Sequence, residues 1–124
     1  MLHEKSLTEK IISAAIEVHR TLGPGLLESA YEESLCREFE LRGIPFERQK
    51  LVPLHYKDRD LDCDYRLDII VAGKIIVELK CVEKVQLIHR MQLLTYLRLY
   101  KLKVGLLLNF YVPVLKEGIH RVIA

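Results

Sequence analysis

The sequence predicts an α/β protein, a small sheet of short strands flanked by helices. Three observations predict it. Two early segments repeat apolar residues at helical spacing. Residues 44–80 then change to strand-like alternation. A third helical segment, over about 85–100, leads into a short apolar strand. The 124 residues suffice for one hydrophobic core, so we expect a single domain over 1–124.

The first helix is expected to open at Ser6-Leu7-Thr8-Glu9, which reads as a capping box. It should run to about Arg20 with Leu7, Ile11, Ala14, Ala15 and Val18 on one stripe. "TLGPG" breaks the chain at Gly23, Pro24 and Gly25. A second helix follows from about Leu26 to Leu41, burying Leu27, Ala30, Leu35 and Phe39 and stopping at Gly43. "IPFERQKLVPLHY" carries two prolines, the mark of an edge or interrupted strand. "KDRD" is a polar turn, and "LDCDYRLDIIV" and "KIIVELK" are the next strands. The third helix, from about Val85 to Tyr100, places Leu87, Met91, Leu94 and Leu97 at helical spacing. "KVGLLLNFYV" reads as a buried strand and "GIHRVIA" as a short final one.

Composition narrows the class. Half the residues are apolar and 29% are charged, the profile of a globular protein. No apolar run approaches the ~18 residues of a membrane span, and the start lacks a signal peptide's apolar core. Cys36, Cys63 and Cys81 form no CxxC pair and no zinc pattern, and read as reduced thiols in or near the core of a cytoplasmic protein. A net charge of +2 does not by itself identify a nucleic-acid partner.

The segment "YRLDIIVAGKIIVELK" sets the functional question, because a hairpin that should be buried carries Asp68, Glu78 and Lys80. Alternation puts Tyr65, Leu67, Ile69 and Val71 on one face and Arg66, Asp68 and Ile70 on the other. Ile75, Val77 and Leu79 likewise alternate with Ile76, Glu78 and Lys80. A two-residue loop would set Asp68 opposite Val77 and mix the faces. A three-residue loop, Ala72-Gly73-Lys74, pairs Val71 with Ile75 and sets Asp68 opposite Glu78, with Gly73 supplying a positive φ. The apolar pattern selects the second register. Two carboxylates facing each other repel and favour a cation between them, and a carbonyl and waters would complete an oxygen shell suited to Mg²⁺ or Mn²⁺. Lys80, two residues after Glu78, could activate a water or stabilise charge on a phosphate. The competing reading makes all three ordinary polar residues on an exposed sheet face.

With these residues in this order, the chain resembles the PD-(D/E)XK nuclease superfamily, through D-x9-E-x-K. "GLLESAY" supplies a GxxExxY signature (Gly25, Glu28, Tyr31), and "VHRTLGPGLLESAYEESL", "LRGIPFERQ", "YRLDIIVAGKIIVELK" and "QLLTYL…KVGLLLNF" together are similar to the GxxExxY family, from about Ile12 to Asn109. The resemblance implies a restriction-endonuclease-like αβββαβ core, a central mixed sheet flanked by helices, with an extra N-terminal helix. It implies metal and catalytic positions for Asp68, Glu78 and Lys80, with Glu28 as an added acid near the metal. Gln92 matches the glutamine of the helix that follows the ExK strand. Leu67 stands where the superfamily's motif has proline.

Other residues divide between function and structure. Tyr31 shares a helix face with Glu28, where it would fix the acid's rotamer, touch substrate or simply pack. His89, Gln92 and Tyr96 fall on one stripe, so His89 and Tyr96 are candidates for substrate contact or for a solvated helix edge. Arg66 could bind phosphate or neutralise Asp68. The leading expectation is a Mg²⁺- or Mn²⁺-dependent phosphodiesterase acting on nucleic acid, DNA rather than RNA. Asp68, Glu78, the Leu79 carbonyl and Glu28 would act at the metal, with Lys80 and Gln92 in the chemistry, in a homodimer or larger complex with no membrane partner. The alternative is a non-catalytic nucleic-acid-binding or protein-interaction module that keeps the nuclease fold.

Overall fold

The computed structural model of the chain describes residues 4–124. Two helices come first, α1 (Lys5–Leu22) and α2 (Glu28–Leu41). Then follow β1 (Phe46–Tyr56), β2 (Arg59–Val71), β3 (Ile75–Lys80), α3 (Leu87–Tyr100), β4 (Val104–Asn109) and β5 (Ile119–Ile123). The strands form one sheet in sequence order. Its pairs are antiparallel except β3 with β4, which are parallel because α3 carries the chain back to the sheet's starting edge. This is the α/β order expected, with the proline-bearing β1 at an edge and the final segment pairing as β5.

Helices cover both faces of the sheet. On one, Ile11 and Ala15 of α1 and Leu35 and Phe39 of α2 share a core with Ile69, Val77 and Leu106. On the other, Leu93 and Leu97 of α3 pack with Leu67, Ile70, Ile76 and Leu107. Helix α3 approaches β4 closely at Gly105, where a Cβ would fall 2.9 Å from the Leu93 side chain.

Several boundaries differ from expectation. Helix α1 closes its first turn on the Glu4 carbonyl, which accepts the Thr8 N–H at 2.9 Å. Ser6 therefore lies inside the helix, and no side chain caps it. Helix α2 starts at Glu28, so Leu27 is its N-cap and stands 78% exposed rather than buried. Leu87 and Met91 of α3 are exposed as well. The notch at Gly105 draws Leu93 inward and rotates the buried stripe to Leu93–Leu97. Cys63 is exposed, while Cys36 is buried and Cys81 half-buried, all three as free thiols.

The β2–β3 turn has the expected three-residue register, Val71 pairing with Ile75. Ala72 joins Gly73 at positive φ, 52° and 66°. The faces of β2 do not alternate through its length. Ile69 and Val71 belong to the α1/α2 core, but Leu67 and Tyr65 face α3 with Ile70. Strand β1 changes face at the same level. Phe46 packs toward α1 and α2, whereas Val52 packs toward α3. The change falls at Gln49, which holds φ 52° in mid-strand. Its neighbours Arg48 and Lys50 pair with Ile69 and Leu67, leaving Gln49 and Asp68 facing each other outside the ladder.

Among the described residues, Thr8 carries the one buried side-chain polar atom without a hydrogen-bond partner, its Oγ1. Thr8→Val keeps the shape and removes that unmet hydroxyl, so it should stabilise the protein by about 1 kcal/mol. Thermal denaturation should show the midpoint rising by about 3–5 °C.

Candidate active site

The β2–β3 ladder ends at the Ile69–Val77 pair. One step further, the side chains take over from the backbone. The Leu79 N–H donates to Asp68 Oδ2 at 3.0 Å, and the Asp68 N–H donates to Glu78 Oε1 at 3.3 Å. The strands splay here, each carboxylate accepting a donor that strand pairing would have used. Gln49 helps hold this break open. Its amide donates to Glu32 Oε1 at 2.5 Å, while Arg48 donates to Oε2 at 2.7 Å. Glu32 is only 8% exposed, so the acceptor end of the clamp on the Gln49 kink is buried.

Around the break lies a polar cavity of about 440 Å³ that brings together Glu28, Arg66, Asp68, Glu78, Lys80, Gln92 and Tyr96. Five elements supply them. Asp68 and Arg66 come from β2, Glu78 and Lys80 from β3, Glu28 from the first turn of α2, and Gln92 and Tyr96 from α3; β1 adds Leu51. The end of β3 is braced from behind. Phe110 donates its N–H to the Lys80 carbonyl at 2.9 Å. Asn109 clips the outgoing chain, accepting the Val82 N–H at 3.1 Å and donating to the Val82 carbonyl at 2.8 Å.

The electrostatics follow from burial. Glu78 is 6% exposed. Its carboxyl is pushed up to about 9 by burial, then by the Asp68 charge and a hydrogen bond between the two carboxyls, Lys80 opposing. The pair therefore holds a proton at neutral pH in the absence of a cation. Glu28 also sits above the ordinary carboxylate range, by partial burial and then by Asp68, with Lys80 and Arg66 opposing. The Tyr96 phenol is raised by burial and then by Glu78 and Asp68. These couplings place all four groups in one field.

Carboxyl oxygens facing a polar cavity are donors that suit a hard divalent ion, which would displace the Glu78 proton on binding. The residues present fit such an ion, through Asp68, Glu78 and a main-chain carbonyl. Among the described residues, no three His, Cys, Asp or Glu side chains stand close enough to hold one ion together as they are. Glu28 therefore lines the cavity without closing a three-acid cage.

Two expected contacts belong to the scaffold instead. Tyr31 is fully buried. Its hydroxyl donates to the Gly23 carbonyl at 2.5 Å and accepts the Leu26 N–H at 3.1 Å. Its ring stacks on Phe110 with centroids 4.5 Å apart. It cannot touch substrate; it fastens the glycine loop that leads into Glu28. His89 caps α3, its Nδ1 accepting the Gln86 N–H at 3.0 Å, and does not line the cavity. Sequence reading missed Asp64 of β2, which also lines the cavity, and two scaffold residues. Asn109 had a signal, an amide inside an apolar strand. Gln49 had none, since its role depends on a backbone angle.

A family model described as the PD-(D/E)XK nuclease superfamily matches residues 5–122. A search of the curated proteins finds no match. Among solved structures, the "Crystal structure of SSO0001" aligns over 94% of this chain and 77% of its own, at 19% identity and a TM-score of 0.47.

The Glu78 shift predicts a pH dependence. An unfolded carboxyl ionises near 4.5, whereas the folded one keeps its proton to about 9. Between those values the folded state binds more protons, so stability without metal falls as pH rises through that window. In a chelator, the melting temperature should decline from about pH 5 to about pH 9. Glu78→Gln should flatten that decline and melt higher than the wild type by about 5 °C at the alkaline end.

Proposed function

The chain belongs to the PD-(D/E)XK nuclease superfamily, and from that premise we propose that it is a divalent-metal-dependent phosphodiesterase that hydrolyses nucleic acid, DNA in particular. The observation that carries the proposal is the buried Glu78 carboxyl set against the half-buried Asp68 carboxyl, with Lys80 in the same cavity. Burying a carboxyl beside a second one is costly, and such perturbed acids cluster at functional sites.

In this reading Asp68, Glu78 and the Leu79 carbonyl hold Mg²⁺ or Mn²⁺, and Glu28 tunes the shell. The bound ion supplies charge neutralisation at the scissile phosphate and a more acidic water. Lys80 hydrogen-bonds the attacking water or a non-bridging oxygen and stabilises the charge that develops there. The Gln92 amide and the Arg66 guanidinium orient the phosphate, and Tyr96 bounds the cavity beside them. Cutting both strands of a duplex requires two such sites, which a homodimer or a larger complex provides. In this reading the protein acts in the cytoplasm, a setting that suits its free thiols. Among the described residues, no helix is long and apolar enough to cross a membrane.

The second reading, a nucleic-acid-binding module without chemistry, draws support from the spacing of the acids, of which no three converge on one point among the described residues.

Two measurements separate the readings. With labelled DNA and Mn²⁺, the wild type should cleave, and Glu78→Ala and Lys80→Ala should each lose about 10²–10³-fold in rate. Equal cleavage by all three proteins would mean a contaminant and remove the enzyme. In calorimetry near neutral pH, Mn²⁺ should bind with release of about one proton per ion, drawn from Glu78. Asp68→Asn should abolish the binding heat. No binding by the wild type at millimolar Mn²⁺ would favour the module.

A further inference from the structure

The kink at Gln49 and Asp68 turns the outer β1–β2 ribbon toward α3. Between the ribbon and the last turn of that helix lies a second cavity, of about 510 Å³, within the ~300–1,000 Å³ typical of small-ligand sites. Its chemistry differs from that of the catalytic cavity. Pro53 and Leu54 of β1 and Leu99 of α3 give it apolar wall, and Tyr65 and Tyr100 give it rings. Arg98 and Lys101 line it as exposed cations, and among the described residues neither takes part in an ion pair.

The two cavities share a partition. Tyr96 lines the catalytic one, and its ring stacks on Tyr65 of the second, with centroids 5.3 Å apart and planes at 23°. Gln92, Tyr96 and Tyr100 recur every four residues, so they form one stripe along α3 with a rise of about 6 Å per step. That stripe runs from the catalytic cavity, past the partition, to the second cavity.

We propose that the second cavity binds an unpaired nucleotide of the substrate strand, its base against Tyr65 and Tyr100 and its phosphate near Arg98 and Lys101. This rests on the nuclease reading and adds the substrate class: single-stranded DNA, or the unpaired part of a flapped or frayed duplex. A paired base is stacked and covered on both faces, so only an unpaired one offers a face to these rings. The rings accept any base, so the site selects strandedness and not sequence. The two cations also offset the negative end of the α3 dipole, an account that predicts no effect on DNA.

The test is fluorescence anisotropy in chelator, where no cleavage occurs, with a labelled oligothymidine, the same strand annealed to its complement, and a strand of equal length made of abasic sites. The wild type should bind the oligothymidine at least about tenfold more tightly than either of the others. Tyr100→Leu, and separately the surface pair Arg98→Glu with Lys101→Glu, should each lose about tenfold on the oligothymidine and little on the duplex. Circular dichroism checks the fold, and the exposed pair keeps the test valid if Tyr100→Leu misfolds. Equal binding of all three probes, or wild-type affinity in the folded variants, overturns the proposal. Tight binding of the abasic strand also overturns it, since only phosphate would then be recognised. Cleavage assays with Mn²⁺ keep the two readings apart. A strand that is cut without single-strand preference removes this site and keeps the nuclease, whereas a strand that binds here and is never cut does the reverse.

Discussion

The site depends on a place where two neighbouring strand pairs stop behaving as a ladder. Gln49 and Asp68 drop out of β1–β2 pairing, and β2–β3 pairing ends one residue short of Asp68. A regular strand would present the Asp68 backbone to its neighbours and carry its side chain straight up from the sheet. The break lets the carboxylate reach sideways to the Leu79 N–H, which aligns it with Glu78. A left-handed backbone at a non-glycine residue is costly, and the Glu32 bonds to Gln49 and Arg48 offset that cost. An ion pair between α2 and β1 thus sets the direction of an acid on β2.

The same break explains why Glu78 is the more perturbed acid. It stays inside the regular part of β3, between buried Val77 and Leu79, with little solvent. Asp68 sits at the splay and is less covered. Burial and the Asp68 charge both disfavour the ionised form of Glu78, so this deep carboxyl keeps its proton. The nearby Cys81 thiol is pushed up to about 11 by burial and then by Glu28. It stays protonated at neutral pH and is no ready nucleophile.

Much of the architecture was legible because apolar pattern and turn chemistry agreed. Val71 and Ile75 had to pair for the faces of β3 to sort, and that register brought Asp68 level with Glu78. Pro45 and Pro53 marked an edge, and Gly43 ended α2 at φ 68°. The family resemblance pointed to Glu28 and Gln92, which do share the cavity. Failures arose where tertiary packing overruled periodicity. Leu67 follows strict alternation on paper but changes sides because Gln49 kinks. Leu87 and Met91 have helical spacing but lose the interior to Leu93, whose place is made by a missing side chain at Gly105. Tyr31, three residues from Glu28 in a shared motif, serves the loop and the core because a phenol can stack and bond at once.

Phe110 touches both sides of the site without entering it. Its backbone holds the Lys80 carbonyl, and its ring meets Tyr31, whose hydroxyl ties the loop that delivers Glu28. The gap between the amine-bearing strand and the acid-bearing helix is therefore a mechanical property of packed rings, insulated from the charges on either bank. Trimming the Phe110 ring would loosen Tyr31 and so the bank that carries Glu28, while the backbone bond to the Lys80 carbonyl and every charge stay in place.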